Sequence, residues 1–306
     1  MSSADIDKGE GRAHAHLITQ AAALLEATDE AKIHYLRTDK WIGYPAAKDI
    51  LEDLESLMAH PDRERMPCRL IIAQTNNGKT NLLKKFVKRY PADPNPEGEA
   101  IRLPIIHIQL VEPDERHLYL QLLKALFQKY PLMATLNARR DHVMNVLQQV
   151  RPRMILLDEI NTLVNGPVVK QRACLNALKY ISNLIRVPIV ATGTHEARHV
   201  FRAEPQIANR FEPRMLPLWE LNDDFKSLLR SFEQTLPFPT PSGLYKKAMA
   251  HEIFHRTDGT IGEVAKLIES AAIHAVRSKA DCISKEVLDK CGYVSPSRRH
   301  DLLGAR

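Results

Sequence analysis

Cysteine is scarce in this chain of 306 residues: Cys68, Cys174, Cys282 and Cys291 are the whole set, and no two stand at Cys-x-x-Cys spacing. That pattern argues against a zinc knuckle or a disulfide framework and leaves four reduced thiols. Long apolar runs are missing too. No stretch of about 18 apolar residues escapes interruption by several charges, so no membrane partner is expected. The N-terminal segment MSSADIDKGEGRAHAH lacks the apolar centre of a secretory signal. Neither an internal repeat nor an extended low-complexity stretch occurs. A soluble intracellular protein is the expectation, with room for one large domain and a small satellite.

What is present begins with a basic balance. Lys and Arg number 43 against 37 Asp and Glu, a formal charge of +6, with an isoelectric point near 9.1. Such a balance permits attraction to a polyanion through counterion release, without identifying one.

Along the chain, HLITQAAALLEA offers one helix in a polar arm, and Ala47, Ile50, Leu51, Leu54, Leu57 and Met58 recur at helical spacing before Pro61. From Cys68 the order becomes strand (CRLIIA), polar turn (TNNG) and helix (KTNLLKKFVKRY). LPIIHIQL reads as a second strand, followed by helices in DERHLYLQLLKALFQKY and ARRDHVMNVLQQV. RMILLDE is a third strand, CLNALKYISNLI a helix, VPIVATG a fourth strand and RMLPLWEL a fifth. Beyond about Leu221 the segments DDFKSLLRSFEQTL, GLYKKAMAHEIFH, GEVAKLIESAAIHAV and SKEVLDKCG are helical. Alternation of strands and helices predicts an α/β core with a parallel five-stranded sheet flanked by helices, followed by a small all-helical lid. The expected division is a polar arm over 1–35, a nucleotide-binding core over 36–220, and the lid and tail over 221–306.

The chemistry concentrates in AQTNNGKT, Ala73 to Thr80, between a strand and a helix. It matches the phosphate-loop pattern G-x-x-x-x-G-K-[ST], in which loop N–H groups and a helix N-terminus face phosphates. Thr75, Asn76, Asn77, Gly78, Lys79, Thr80 and Asn81 are therefore the candidate ATP contacts. Lys79 would reach the β and γ phosphates, and the Thr80 hydroxyl would hold Mg2+. Ala73 replaces the first glycine, which is tolerable where that residue's φ is negative.

Some eighty residues later, MILLDE puts two carboxylates at the C-terminal end of a strand. Asp158 would hold Mg2+ through its water shell, and Glu159 would orient or deprotonate an attacking water. ATGT closes the fourth strand, where Thr192 or Thr194 would position that water or touch the γ-phosphate; a capped helix start before HEARH is the alternative reading. Arg210, in ANRFEP, stands where a guanidinium would reach a neighbouring subunit's γ-phosphate, or else serve a surface ion pair. HEARH at His195 and HEIFH at His251 match the zinc pattern H-E-x-x-H, but no third ligand follows at a suitable spacing, and both read as accidental.

With these residues assembled, the chain resembles the TniB family of transposition ATPases, relatives of TnsC and, more distantly, of MuB and the origin-recognition AAA+ proteins. The resemblance runs from Arg37 to Ala275, through RTDKWIGYPAAKDIL, QTNNGKTNLLKKF, LLDEINTL, QRACLNALKYISNLIRVPIVATGTHEA and PQIANRFEPRMLPLW.

It implies a P-loop AAA+ ATPase that forms a homo-oligomer, ring or helical filament, on double-stranded DNA in the ATP state and recruits a DDE transposase. It also implies a TniQ-like targeting protein as a further partner and a bacterial, cytoplasmic, nucleoid-associated location. The segment ahead of the core makes Trp41, Ile42 and Tyr44 candidates for the adenine pocket, or else core packing. DGTIGEVAKLI resembles the second sensor helix, yet Gly262 stands where many relatives have arginine, so hydrolysis is expected to be slow or to use Lys266. Contacts to DNA are expected from Arg116, Thr135, Arg139 and Arg140, through the backbone rather than the bases. The alternatives are a helicase loader or replication initiator of the same fold, and an ATP-binding scaffold with little turnover.

Overall fold

The computed structural model describes residues 15–95, 101–129, 133–202 and 205–304. They form two compact units, one spanning Pro45–Pro217 and one joining the segment that ends at Tyr44 to the segment that starts at Leu218. These boundaries differ from the segments expected from sequence: residues 36–44 cluster with the helical part of the chain. The strands are β1 (Cys68–Ala73), β2 (Ile105–Gln109), β3 (Met154–Asp158), β4 (Ile189–Gly193) and β5 (Phe211–Leu216). The helices are α1 (Thr19–Ala22), α2 (Asp29–Leu36), α3 (Pro45–Met58), α4 (Lys79–Val87), α5 (Glu115–Ala125), α6 (Leu136–Val150), α7 (Val168–Ile185), α8 (Ala197–Arg202), α9 (Pro205–Ala208), α10 (Asp223–Glu233), α11 (Lys247–Thr257), α12 (Ile261–Arg277), α13 (Lys285–Lys290) and α14 (Pro296–Gly304).

In the Pro45–Pro217 unit the five strands form one sheet in the order β2-β3-β4-β1-β5, with every neighbouring pair parallel. All residues of β3 and β4 are buried, as is usual for strands covered on both faces, which explains their unbroken apolar runs. The edge strand β5 alternates buried ends with exposed middle positions and contains Pro213. It begins at Phe211 rather than at Arg214 as RMLPLWEL implied. An edge strand tolerates a proline because the missing N–H removes no ladder bond, and Pro217 then ends the strand. α5 stops at Ala125 instead of running to Tyr130, because Phe127 turns to φ 56°.

α3 is fastened to this sheet by one carboxylate. Asp53 accepts from Arg69 Nε at 2.7 Å and Nη2 at 3.0 Å, and from Arg214 Nη2 at 3.3 Å. Burial opposes its ionisation, but the hydrogen bonds and charges of Arg69 and Arg214 outweigh that and hold the carboxyl below its usual range. A depressed carboxylate pKa contributes stability above the unfolded value of about 3.9, and the contribution is lost as pH falls through the folded value. Asp53→Asn is expected to lower unfolding free energy by about 1.5 to 3 kcal/mol at neutral pH, the worth of a hydrogen bond to a charged group. Urea titrations across pH check this; a loss that stays constant below the carboxylate range would exclude the linkage.

In the other unit α2 packs on α12, and an aromatic chain runs Tyr44, Trp219, Phe225, Phe254 with successive centroids 5.0, 6.1 and 5.5 Å apart. Such offset and edge-on pairs suit the ring quadrupoles. Gly259, at φ 68°, is required there, since a Cβ would meet the Trp219 carbonyl at 2.6 Å. Buried Glu233 accepts from the N–H groups of Gly243 and Leu244 at 3.0 and 2.7 Å and so fixes the proline-bearing turn before α11. Among the described residues no helix is long and apolar enough to cross a membrane.

Candidate nucleotide site

β1 delivers the chain into the phosphate loop at Ala73, which is fully buried and still in strand conformation. The positive-φ residues of the loop are Asn76 at 61° and Gly78 at 85°, so the alanine sits where no glycine is needed. Asparagine is among the few side chains that visit the left-handed region readily. Asn77 is buried, and its amide donates to the Leu216 and Pro217 carbonyls at 3.0 and 2.9 Å, tying the loop to the end of β5. α4 then starts at Lys79 with its N-terminal N–H groups at the loop, a place that favours anions. Lys79 Nζ donates to the carbonyls of Ala73 and Gln74 at 3.1 and 3.0 Å. Burial pushes its pKa down, against the opposing pull of Glu159 and Asp158.

Asp158 closes β3 at 2% exposure. Its carboxylate accepts from the Thr80 hydroxyl at 2.7 Å, the Glu159 N–H at 3.0 Å and the Thr192 hydroxyl. Glu159 follows in the left-handed region at φ 58°, a strained conformation for glutamate of the kind that collects at functional sites. Asn161 joins the two strand ends: its Nδ2 donates to Glu159 Oε2 at 3.1 Å, and its Oδ1 accepts from the Thr194 N–H at 3.0 Å. Gly193 makes that approach possible, because a Cβ there would meet Asn161 Oδ1 at 2.9 Å. The Thr194 hydroxyl is buried and has no hydrogen-bond partner among the described residues.

A cavity of ≈ 650 Å³ opens between these elements, walled by the loop from Gln74 to Asn81 and, across from it, by Glu159, Asn161, Thr194, His195 and Glu196. Thr75, Asn76, Asn77, Gly78, Lys79, Thr80 and Asn81 are thus brought together. Thr192 is fully buried behind them, bonded to Asp158, while Thr194 faces the cavity. Hard oxygen donors at Thr80 and Asp158, 2.7 Å apart, are the donor set that Mg2+ takes. Asn161 went unnoticed in the sequence; the run DEIN, with an amide two residues beyond the glutamate, was its only signal. His195 and Glu196 precede α8, so the two imidazoles of HEARH do not share one helical face as a zinc pair must.

The remaining sequence candidates lie elsewhere. Arg210 stands at the N-terminal edge of the sheet, just before β5, where its guanidinium donates to Asn183 Oδ1 at 2.7 Å. That edge is opposite the one carrying the phosphate loop, so within one chain the two do not meet. Trp41, Ile42 and Tyr44 belong to the helical unit. Tyr44 packs edge-on against Trp219, and burial pushes its phenol up to about 12. Arg116 is exposed in the first turn of α5, and Thr135 caps α6 by accepting from the Ala138 N–H at 3.2 Å. Arg139 and Arg140 follow in α6, with the Arg140 guanidinium 5.8 Å from the centroid of Tyr180. Gly262 and Lys266 lie on α12 either side of buried Glu263, which accepts from Tyr293 and Arg299. His251 and His255 pair on α11 with Nε2 atoms 3.1 Å apart.

Residues 32–221 match the family described as Bacterial TniB protein. A search of curated proteins finds no match. Among solved structures, the Cdc6p protein of Pyrobaculum aerophilum is similar at a TM-score of 0.60 and 14% identity, over 84% of this chain and 69% of that one. The Aeropyrum pernix ORC1 protein, solved in complex with DNA, is similar at 0.56 and 14%, over 89% and 69%. The RuvB Holliday junction branch migration motor of Thermotoga maritima is similar at 0.50 and 16%, over 84% and 72%. At such identities these likenesses speak for the fold: a parallel α/β core with a phosphate loop and a helical C-terminal region. Since the family match covers more than half of the sequence and lies on that fold, the chain belongs to the TniB family and is an AAA+ P-loop ATPase.

Proposed function

We propose that this TniB-family ATPase binds ATP with Mg2+ in the cavity of its α/β unit, assembles as a homo-oligomer on duplex DNA in that state, and presents the DNA to a DDE transposase. The observation that carries the reading is the convergence of Lys79, Thr80, Asp158, Glu159 and Thr194 from three neighbouring strand ends around one cavity or directly behind its wall. ATP with its metal ion supplies an electrophilic γ-phosphorus.

The chain's own groups then divide the work. Lys79 exchanges its two carbonyl acceptors for phosphate oxygens, a gain because charge-assisted bonds are about twice as strong as neutral ones. Thr80 would hold the metal ion through its hydroxyl oxygen, and Asp158 through the ion's water shell. Glu159, held by Asn161, accepts a proton from the attacking water, and the Thr194 hydroxyl, without a partner among the described residues, orients that water or a γ-phosphate oxygen. A guanidinium that enters from a second copy through Arg210 fits its place far from its own loop. Trp41, Ile42 and Tyr44 would flank the adenine. Arg116, Arg139 and Arg140 would meet DNA phosphates, with Thr135 serving mainly as the cap that orders α6 beside them. The net charge of +6 and the resemblance to transposition ATPases support duplex DNA as the polyanion. A TniQ-like protein is the expected targeting partner, in the bacterial cytoplasm at the nucleoid.

Filter binding of duplex DNA with ATP, a slowly hydrolysed analogue and ADP tests this. Retention in the first two states is expected to exceed that with ADP by about 5- to 150-fold, the usual span of coupling between two sites. Equal retention in all three states overturns nucleotide-gated assembly, and a transposase that is not captured by the ATP-loaded protein overturns the recruitment step.

A further inference from the structure

The edge of the sheet opposite the nucleotide cavity carries its own pattern. Arg65, Arg102, Arg151 and Arg186 each stand three residues before a strand begins, at β1, β2, β3 and β4 respectively. In the sheet those strands are neighbours in the order β2-β3-β4-β1, so the four arginines form a row across one edge. With strands about 4.8 Å apart, the row spans roughly 14 Å. All four are exposed, and none has a side-chain hydrogen bond or ion pair among the described residues. Arg153 adds a fifth guanidinium, steadied by the Met58 carbonyl at 3.3 Å.

Backbone geometry shows that two of these side chains are kept at a cost. Arg151 and Arg186 sit at the C-terminal ends of α6 and α7 in the left-handed region, at φ 51° and 54°. Glycine or asparagine is the ordinary choice at such a cap, because a longer L side chain crowds the following carbonyl. Complementing the helix dipole does not explain the choice, since an arginine in the preceding turn would do that without strain. Both line a cavity of ≈ 470 Å³ in which Asp62 is the sole carboxylate among the described residues. A second cavity, of ≈ 660 Å³, shares Arg151 with Arg102 and adds the amides of Asn95, Asn145, Gln148 and Gln149, with no carboxylate among the described residues that line it.

We propose that this arginine row is a second polyanion site, which holds the phosphodiester backbone of duplex DNA on the face of the α/β unit away from the nucleotide. Planar guanidinium forks with amide donors between them suit phosphate oxygens, and a linear array of cations suits a strand of regularly spaced charges better than one compact anion. The inference rests on the DNA-binding reading above, and it names a surface different from the one around Arg116, Arg139 and Arg140.

Arg151→Gly/Arg186→Gly is the decisive variant because glycine relieves the left-handed backbone while it deletes both charges. Its melting temperature is expected to match or exceed that of the native protein. In ATP, its duplex affinity is expected to fall, and the plot of log affinity against log salt to become shallower by about 1.8, at about 0.9 for each phosphate left without its arginine. Arg65→Ser/Arg102→Ser, at positions without left-handed backbone, is expected to give the same change of slope. Native protein that binds duplex, with an unchanged slope in both variants, overturns this site alone. Native protein that binds no duplex in any nucleotide state overturns the DNA reading and this site together.

Discussion

Lys79→Ala is expected to lower ATP affinity by about 100-fold or more and to abolish nucleotide-dependent assembly, while the unliganded fold keeps its stability. The first part follows from the bonds at stake. Two charge-assisted hydrogen bonds to phosphate oxygens, at about 1.5 to 3 kcal/mol each, disappear with the ammonium, and the described residues of the cavity wall include no other lysine or arginine to replace it. The second part follows from the present state of the lysine. Its ammonium is buried against two neutral carbonyls, and burial depresses its pKa. A lysine whose folded pKa lies below its unfolded value weakens the fold fully at neutral pH, and that penalty disappears only as pH rises past the unfolded value. Removing the charge therefore removes a cost, and Lys79→Met, which keeps most of the packed stem, should melt no lower than the native chain. Calorimetric titration with magnesium and ATP beside a thermal melt separates the two effects. Native-like ATP affinity in the alanine variant would sink the assignment of the loop; a lowered melt in the methionine variant would sink the account of the empty state.

The parts of this site that could be read in advance are those whose signal is local. CRLIIA before TNNGKT, and MILLDE before a polar turn, combine an apolar run with chemistry at its C-terminal end; β1 ends at Ala73 as expected, and β3 ends at Asp158, one residue short of the expected Glu159. The parts that escaped depend on contacts distant in sequence or on backbone angles that no composition announces. Asn77 reads as one more phosphate contact, yet its amide spans to Leu216 and Pro217, and only the placement of β5 beside β1 creates that use. Asn161 is an ordinary polar residue until β4 brings the Thr194 N–H and a side-chain-free Gly193 against it. α2 has no apolar face to betray it; its cue was the cap at Thr28 followed by Asp29 and Glu30. The fifth strand starts at Phe211, three residues before RMLPLWEL, and takes in Pro213, a place that only the sheet order shows to be an edge. α6 and α7 end at Val150 and Ile185, where their sequence segments stop, but arginine at a left-handed cap runs against the preference for glycine, so the conformation of those caps had no signal.

Glu159→Gln is expected to reduce ATP turnover by about 10² to 10⁴-fold, the usual worth of a positioned general base, with ATP affinity preserved. The substitution is a narrow one in this setting. Glutamine has the same reach, and its carbonyl oxygen can still accept the hydrogen bond from Asn161 Nδ2 that now ends on Glu159 Oε2. Asp158 keeps its three donors, and Thr80 and Lys79 are untouched, so the groups that grip the nucleotide remain. What is lost is a negative oxygen able to take a proton beside the Thr194 hydroxyl. Because hydrolysis is then the blocked step, the ATP-loaded form should accumulate and its complex with duplex DNA should persist far longer than that of the native protein. Single-turnover phosphate release and the rate of DNA dissociation, measured on the same preparation, read the two consequences separately. Slow turnover with native DNA residence would leave Glu159 as the base and break the link between hydrolysis and release. Native turnover would remove Glu159 from the chemistry and pass the task of orienting water to His195 or Glu196, the remaining titratable side chains on that wall of the cavity.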